Sequence, residues 1–463
     1  MSDKLKEVEA LAKQSGQSTL PAYKVAEEYA ELHRDELLFC SSWQLFLLYN
    51  GKFFQLVSKD QMLKKIYEYL RKNHPKQNRN QTQIKNIFDT LKNAVNRNVI
   101  DIELDHNYFA FNDKILNTDT LEYEPHSNTI LCFKHIDISI DDDNEIPNFT
   151  NYISTSLVDS MTKEPDKDLI DLYQEMFGSL FSHEMSSRVV FFLKGDGDNG
   201  KSVTTELLER IFEEQNISAL SLQNLSSERF GKQGLVGKTL NLCSEEESMQ
   251  IKNDTFKALV TTDLVQGERK YEPSFNFHNY AHFVFAMNST PLFKSLGYAM
   301  KKRLCIIPWH AQFPKGHPQR DNKLIGKLYA ERAGIIKWAL DGLERLQKND
   351  FMFTDSKMAA EEMRNLEGEV SSVVLYFQEN WKKSETIKTT TEDFFELYDA
   401  WCKKYNNHAK KKLNVGKDLM DLGLKPCRAA TGRGYYMEQV NRGLVTEEEI
   451  REEEEKLQTN LPY

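Results

Sequence analysis

Val189-Val190-Phe191-Phe192-Leu193-Lys194-Gly195-Asp196-Gly197-Asp198-Asn199-Gly200-Lys201-Ser202 is the stretch from which the rest of the chain can be read. An apolar run of β type leads into G-x-x-x-x-G-K-S, and a helical pattern follows from Val203 to about Phe212. That is the P-loop signature in the context it requires, strand before and helix after. Glycines let the backbone turn its N–H groups inward toward phosphate oxygens. The helix N-terminus adds its dipole. Gly195, Asp196, Gly197, Asp198, Asn199, Gly200, Lys201, Ser202 and Val203 are therefore the expected nucleotide-binding residues. Lys201 is placed to reach the β/γ-phosphates, and Ser202 offers a hydroxyl to Mg²⁺. ATP and Mg²⁺ are the implied substrate and metal. A glycine-rich turn without function is the competing reading, and the flanking strand and helix weigh against it.

Working outward, Leu240-Asn241-Leu242-Cys243-Ser244-Glu245-Glu246-Glu247 is a short β-type run ending in carboxylates, about forty residues past the P-loop. A P-loop ATPase needs one acid to orient the Mg²⁺ waters and another to activate the attacking water. Glu245, through water, and Glu246 are the expected pair. His282-Phe283-Val284-Phe285-Ala286-Met287-Asn288 is a buried-type strand ending in a polar side chain. Asn288 suits sensing of the γ-phosphate, although Asn also ends strands for turn reasons. Lys301-Lys302-Arg303 precedes Leu304-Cys305-Ile306-Ile307-Pro308. Arg303 is a candidate arginine finger acting on a neighbouring subunit's site; a solvated strand entry is the alternative.

The whole chain sets bounds. Its 463 residues allow two to four domains. A net charge of −10 argues against a surface coated with nucleic acid, without excluding a local basic channel. The six cysteines lack metal or C-x-x-C spacing and read as free thiols of a reducing compartment. No apolar run is long enough to span a bilayer, and Met1 to Lys13 lacks the apolar centre of a signal peptide. A cytoplasmic protein is expected.

Residues 1 to about 35 suggest a helix with Tyr23, Ala26, Tyr29 and Leu32 on one face. Asn50-Gly51 between two β-type runs predicts a hairpin with a two-residue type I′ turn. Asp60 is a candidate cap for the helix that follows. Ile100-Asp101-Ile102-Glu103-Leu104-Asp105 alternates as a half-buried strand does. The same acids, Asp101, Glu103 and Asp105, would suit two metal ions in a priming site, the less favoured reading. Helical patterns run over Asp159 to Ser182 and over residues 320–345.

The C-terminal third changes character. Three helical patterns precede a hairpin from Lys425 to Val440, and together they suggest a winged helix. Ala400 to Gly443 holds ten Lys/Arg against three acids, about +7 in an acidic chain. That asymmetry points to DNA, with Lys417 entering a groove and Arg428 and Arg433 on the wing. Protein-contact winged helices are the alternative. Glu447 to Glu455 is acidic and reads as a solvated helix or tail.

Gly195–Ser202, Glu245-Glu246, Asn288 and Arg303, in this order, resemble superfamily 3 helicases, and more closely their poxvirus and phage/plasmid primase-helicase branch, whose P-loop reads G-x-G-x-N-G-K-S. Phe109-Ala110-Phe111-Asn112 and the Asn50-Gly51 hairpin are similar to segments ahead of the core in that branch, so the likeness covers most of residues 35–345. Replication initiators of staphylococcal pathogenicity islands look similar too.

The resemblance implies an α/β fold with an AAA+-type core, a hexameric ring with ATP sites between subunits, and translocation on single-stranded DNA, usually 3′ to 5′. It implies origin DNA, primase and polymerase as partners. It draws Thr261 to Phe277 as a channel hairpin, with Arg269, Lys270 and Tyr271 at its tip on DNA, and gives Lys257 a role across the subunit interface. The family's Gly-Asp pair is Thr262-Asp263 here, which leaves the hairpin register open. Its Arg-Arg pair is Lys302-Arg303, which leaves Arg303 in the finger's place.

The expected domains are 1–150, α+β, of oligomerisation or DNA-collar type; 151–345, the ATPase core; 346–369, a helical linker; 370–443, the winged helix; and 444–463, an acidic tail. The expected function is an ATP-dependent replicative DNA helicase and initiator of a mobile element. An initiator in which ATP only switches assembly, and a primase-helicase, are the alternatives.

Overall fold

Five parallel strands form the central sheet of the computed structural model: β1 (Val190–Lys194), β2 (Ile217–Ser218), β3 (Leu240–Glu246), β4 (His282–Met287) and β5 (Leu304–Pro308). Their order across the sheet is β5-β1-β4-β3-β2. The structure describes residues 20–141, 145–184, 189–227, 231–246, 250–251, 264–269, 273–288, 292–293, 301–405, 409–429 and 432–440. Every residue of β4 is buried, as are the first four of β1, so these strands read as continuous apolar runs with both faces covered. Helices around the sheet include α1 (Pro147–Ser156), α2 (Lys167–Ser179), α3 (Lys201–Asn216), α4 (Leu324–Ala330), α5 (Arg332–Lys348) and α6 (Lys357–Val370). One apolar cluster joins α1, α2, α3 and α5 to one face of the sheet, through Phe149, Tyr173, Phe177, Leu208, Ile336 and Leu343. A second covers the opposite face, where Phe192, Phe283 and Phe285 meet Trp43, Leu38 and Leu366.

The N-terminal unit thus shares its core with the central sheet. Its mixed sheet runs in the order 54–57, 45–49, 37–40, 98–99, and helices Ala22–Leu32, Lys59–Asn73 and Gln81–Ala94 build the third apolar cluster with it. Several local expectations are corrected here. Tyr49 pairs with Phe54, so the hairpin loop has four residues. Asn50 Oδ1 accepts from Lys52 N and Phe53 N, and this side-chain turn replaces the I′ geometry. Ser58, with Gln61 in a reciprocal capping box, starts the next helix in place of Asp60. The first helix buries Val25, Ala26, Tyr29 and Ala30, while Tyr23 and Leu32 are exposed. Asp101–Glu103 is a 3₁₀ turn, not a strand. The Asp159–Ser182 helix is shortened to Lys167–Ser179, because Asp166 caps its start and Asp159 Oδ1 instead accepts from Met161 N and Thr162 N in a turn.

Helix α6, read from sequence within a polar link, packs its buried Leu366 on the sheet. Glu362 pairs with Lys194 at 2.7 Å and Glu367 with Lys301 at 2.8 Å. The C-terminal unit has a separate apolar core built on Tyr376, Phe394, Tyr398, Trp401 and Tyr435. Its order is helix Ser372–Asn380, strand Trp381–Thr390, helix Thr391–Lys404, helix Lys412–Asp421, then strands Pro426–Ala429 and Gly432–Gln439. The strand from Trp381 carries a register shift between Lys383 and Lys388, which broke the alternation that would have revealed it.

Candidate functional site: a phosphate cradle at the ends of the parallel strands

The turn between β1 and α3 sits where the parallel strands end. Gly197 and Gly200 have φ of +99° and +96°, and Asp198 between them has φ +46°. A Cβ on Gly195 would lie 2.2 Å from Asn199 Nδ2 and 2.6 Å from the Trp309 carbonyl, so only glycine fits there. Gly195 N donates to Met287 O at 3.2 Å, which binds the turn to the end of β4. Gly200 caps α3, whose first N–H groups face the turn.

Lys201 is 5% exposed. Its Nζ donates to the Gly195 carbonyl and lies 3.3 Å from Asn288 Oδ1 and 3.4 Å from Asn199 Oδ1. Burial pushes the Lys201 ammonium below its ordinary pKa, partly offset by Asp196. Among the described residues the ammonium's hydrogen-bond partners are neutral oxygens, a setting that suits an anionic ligand. Asn199 Nδ2 and Ser156 Oγ are buried and have no partner among the described residues. A cavity of about 1040 Å³ opens from this turn, lined by residues 197–203 of the P-loop, Ser244, Asn288, Asn151, Phe313 and Arg320. Arg320 Nη1 donates to Asp198 Oδ1 and to Phe313 O, both at 2.9 Å, so the segment after β5 is hooked to the P-loop. The glycine cradle, the orphaned amide and the caged lysine fit a nucleotide polyphosphate. Ser202 lines the same cavity, on the helix start where a phosphate-bound cation would sit.

The structure brings Lys201 and Asn288 together from residues 87 apart in sequence. Glu245 and Glu246 end β3, which runs parallel to β4 and pairs Glu246 with Met287, one residue before Asn288. Their side chains lie outside the described residues, as do Lys257, Lys270 and Tyr271. Arg303 stands at the other end of the sheet, where its carbonyl accepts from Val190 N at 2.8 Å. A five-residue strand separates it from its own P-loop, roughly 16 Å.

Strands Leu264–Gly267 and Phe275–His278 pair antiparallel, the hairpin expected over Thr261 to Phe277. Arg269 is corrected: its Nη2 donates to the Trp43 carbonyl at 2.9 Å, and its guanidinium lies 4.3 Å from the centre of the Phe275 ring. It ties the hairpin to the N-terminal unit and is not a free tip cation. Asp101 ties the hairpin to the same unit, its carboxylate accepting from His278 N at 2.6 Å and meeting His278 Nδ1 at 3.2 Å. Sequence reasoning missed that role because Asp101 and His278 are 177 residues apart. Glu103 accepts from Ile100 N and Asp105 from Leu131 N, so each of the three acids serves a main-chain N–H.

In the C-terminal unit, Lys417, Arg428 and Arg433 are all exposed. Arg428 and Arg433 face each other across the hairpin, an arrangement of like charges that an anion would relieve. Lys410 and Lys412 are already paired, with Asp418 and Glu392.

Residues 193–301 match a family of unknown function, DUF5906, and residues 25–158 match the family described as D5 N terminal like. The chain is 23% identical over 297 residues to the Acanthamoeba polyphaga mimivirus protein named "Putative helicase L207/L206". That stretch is 56% of this chain and 30% of the viral protein, so the chain spans under a third of its relative. Among solved structures, two A-form apo structures of the NrS-1 C-terminal region are similar at 14% identity. They cover 90% and 91% of this chain and 98% and 100% of theirs, with TM-scores of 0.47 and 0.48.

Proposed function

We propose that the chain is an ATP-driven DNA helicase and replication initiator of a mobile element, of the superfamily 3 type. The observation that carries the reading is the cage around Lys201: a glycine turn, Asn199 and Asn288 converging at the ends of parallel strands. The strand order supports an AAA+-type core, because β4, which leads into Asn288, lies between the P-loop strand and the acidic strand. The matches to the D5 N terminal like family and to the viral protein support replication as the setting.

In this reading the P-loop holds the triphosphate, and Ser202, with Glu245 through water, would hold Mg²⁺, which screens phosphate charge when bound. Lys201 neutralises the phosphates, Glu246 takes the proton of the attacking water, and Asn288 orients that water. Arg303, remote from its own P-loop, serves a neighbour in a ring, and Lys257 acts across the subunit interface toward the γ-phosphate. The hairpin with Lys270 and Tyr271 meets single-stranded DNA in the channel. The helix–strand–helix–helix–strand–strand order supports a winged helix that binds origin DNA through Lys417, Arg428 and Arg433.

ATP hydrolysis with and without single-stranded DNA tests this reading. Lys201→Ala abolishes hydrolysis; a variant that keeps more than a tenth of the wild-type rate contradicts the site.

A further inference from the structure

Tyr152, on α1, precedes the P-loop by more than forty residues and was not among the residues that the sequence singled out. It is 4% exposed. Its hydroxyl donates to the Gly200 carbonyl at 2.9 Å and lies 2.6 Å from Thr204 Oγ1. Thr204 Oγ1 in turn lies 3.0 Å from the hydroxyl of Tyr173, on α2. Thr204 and Tyr173 are fully buried. Each hydroxyl has one proton, and a carbonyl can only accept. The order is therefore fixed: Tyr173 donates to Thr204, Thr204 to Tyr152, and Tyr152 to Gly200. Aligned hydroxyls polarise one another, which strengthens the last bond.

The geometry points to Tyr152 as the positioning residue of the phosphate-binding turn, held in place by Thr204 and Tyr173. Gly200 and Lys201 share one trans peptide, in which C=O and N–H point in opposite directions. Pinning the Gly200 carbonyl toward Tyr152 aims the Lys201 N–H the other way, where it now meets Asn199 Oδ1 at 3.3 Å. That N–H belongs to the set a polyphosphate needs. The Gly200 carbonyl also accepts from Val203 N at 2.9 Å and Thr204 N at 3.3 Å, and at φ +96° Gly200 has glycine's freedom to swing, so Tyr152 adds a third hold on that carbonyl. Helix α1 supplies it from outside the segment that carries the motif.

The inference rests on the nucleotide reading, so its test separates the two. The full chain is titrated with ADP, and with adenosine as competitor. Tyr152→Phe removes one oxygen and keeps the ring in its packing. The expected result is an ADP Kd raised about tenfold, with adenosine binding within twofold of wild type. Thr204→Val gives the same pattern, Thr204→Ser restores ADP affinity, and the Tyr152→Phe/Thr204→Val pair loses no more than the worse single variant. An unchanged ADP Kd in Tyr152→Phe, or equal losses for ADP and adenosine, overturns the positioning role. Wild-type protein that binds no ADP overturns the nucleotide reading itself, and this inference with it.

Discussion

His135 shows how a single side chain sets a condition on the whole chain. It stacks on Phe53 with ring centres 4.4 Å apart, and its carbonyl accepts from the Asn216 side chain at the end of α3. Burial pushes its pKa down from 6.5 to about 4. The folded chain keeps this imidazole neutral where the unfolded chain takes up a proton. The sign follows: its contribution is whole above pH 6.5 and is lost as pH falls from there toward 4. Thermal unfolding followed between pH 7.5 and 4.5 checks this, and His135→Gln flattens the dependence. An equally steep decline in the variant would assign it to other groups. The P-loop residues were legible at this scale because their chemistry is local: four glycine-type and polar positions in eight residues specify a turn. Asp101 and Arg269 were not, because each finds its partner more than 170 residues away.

At the scale of elements, α1 begins with no cap of its own and a proline in its first turn. Glu331, in the break between α4 and α5, accepts from Asn148 N at 3.0 Å and from Phe149 N at 2.9 Å. A carboxylate 183 residues away in sequence thus completes the helix that backs the P-loop. Glu331→Ala leaves those N–H groups unpaired, and a loss of about 1–2 kcal/mol is expected. Denaturant unfolding measures it, and a change under 0.3 kcal/mol contradicts the capping role. The single helix read over residues 320–345 is two helices for the same reason: the chain breaks where Glu331 turns to α1. The helical period over residues 320–345 is legible because Leu328, Ile335, Ile336 and Leu343 all face the core. It carries no signal for the break. The five strands of the sheet were legible where they are apolar runs, as in β1, β3, β4 and β5; the two-residue β2 is too short to carry a period.

At the scale of the whole molecule, the sheet holds the proposed finger apart from the P-loop of the same chain. Lys201 and Asn288 sit at one end of the parallel strands, and Arg303 at the other. A site built within one chain would have no use for Arg303. Arg303→Ala and Lys201→Ala should therefore each be inactive in hydrolysis, and mixing the two should restore activity at interfaces that combine an intact P-loop with an intact finger. No recovery on mixing would return Arg303 to the role of a strand entry. The helicase assignment itself is tested most directly by unwinding of a forked DNA with ATP, comparing the intact chain with Lys201→Ala on forks bearing one tail polarity at a time. The account predicts strand separation that requires Lys201 and prefers the 3′ tail. ATP hydrolysis without strand separation on either fork would contradict it, and would leave a nucleotide-switched initiator in its place.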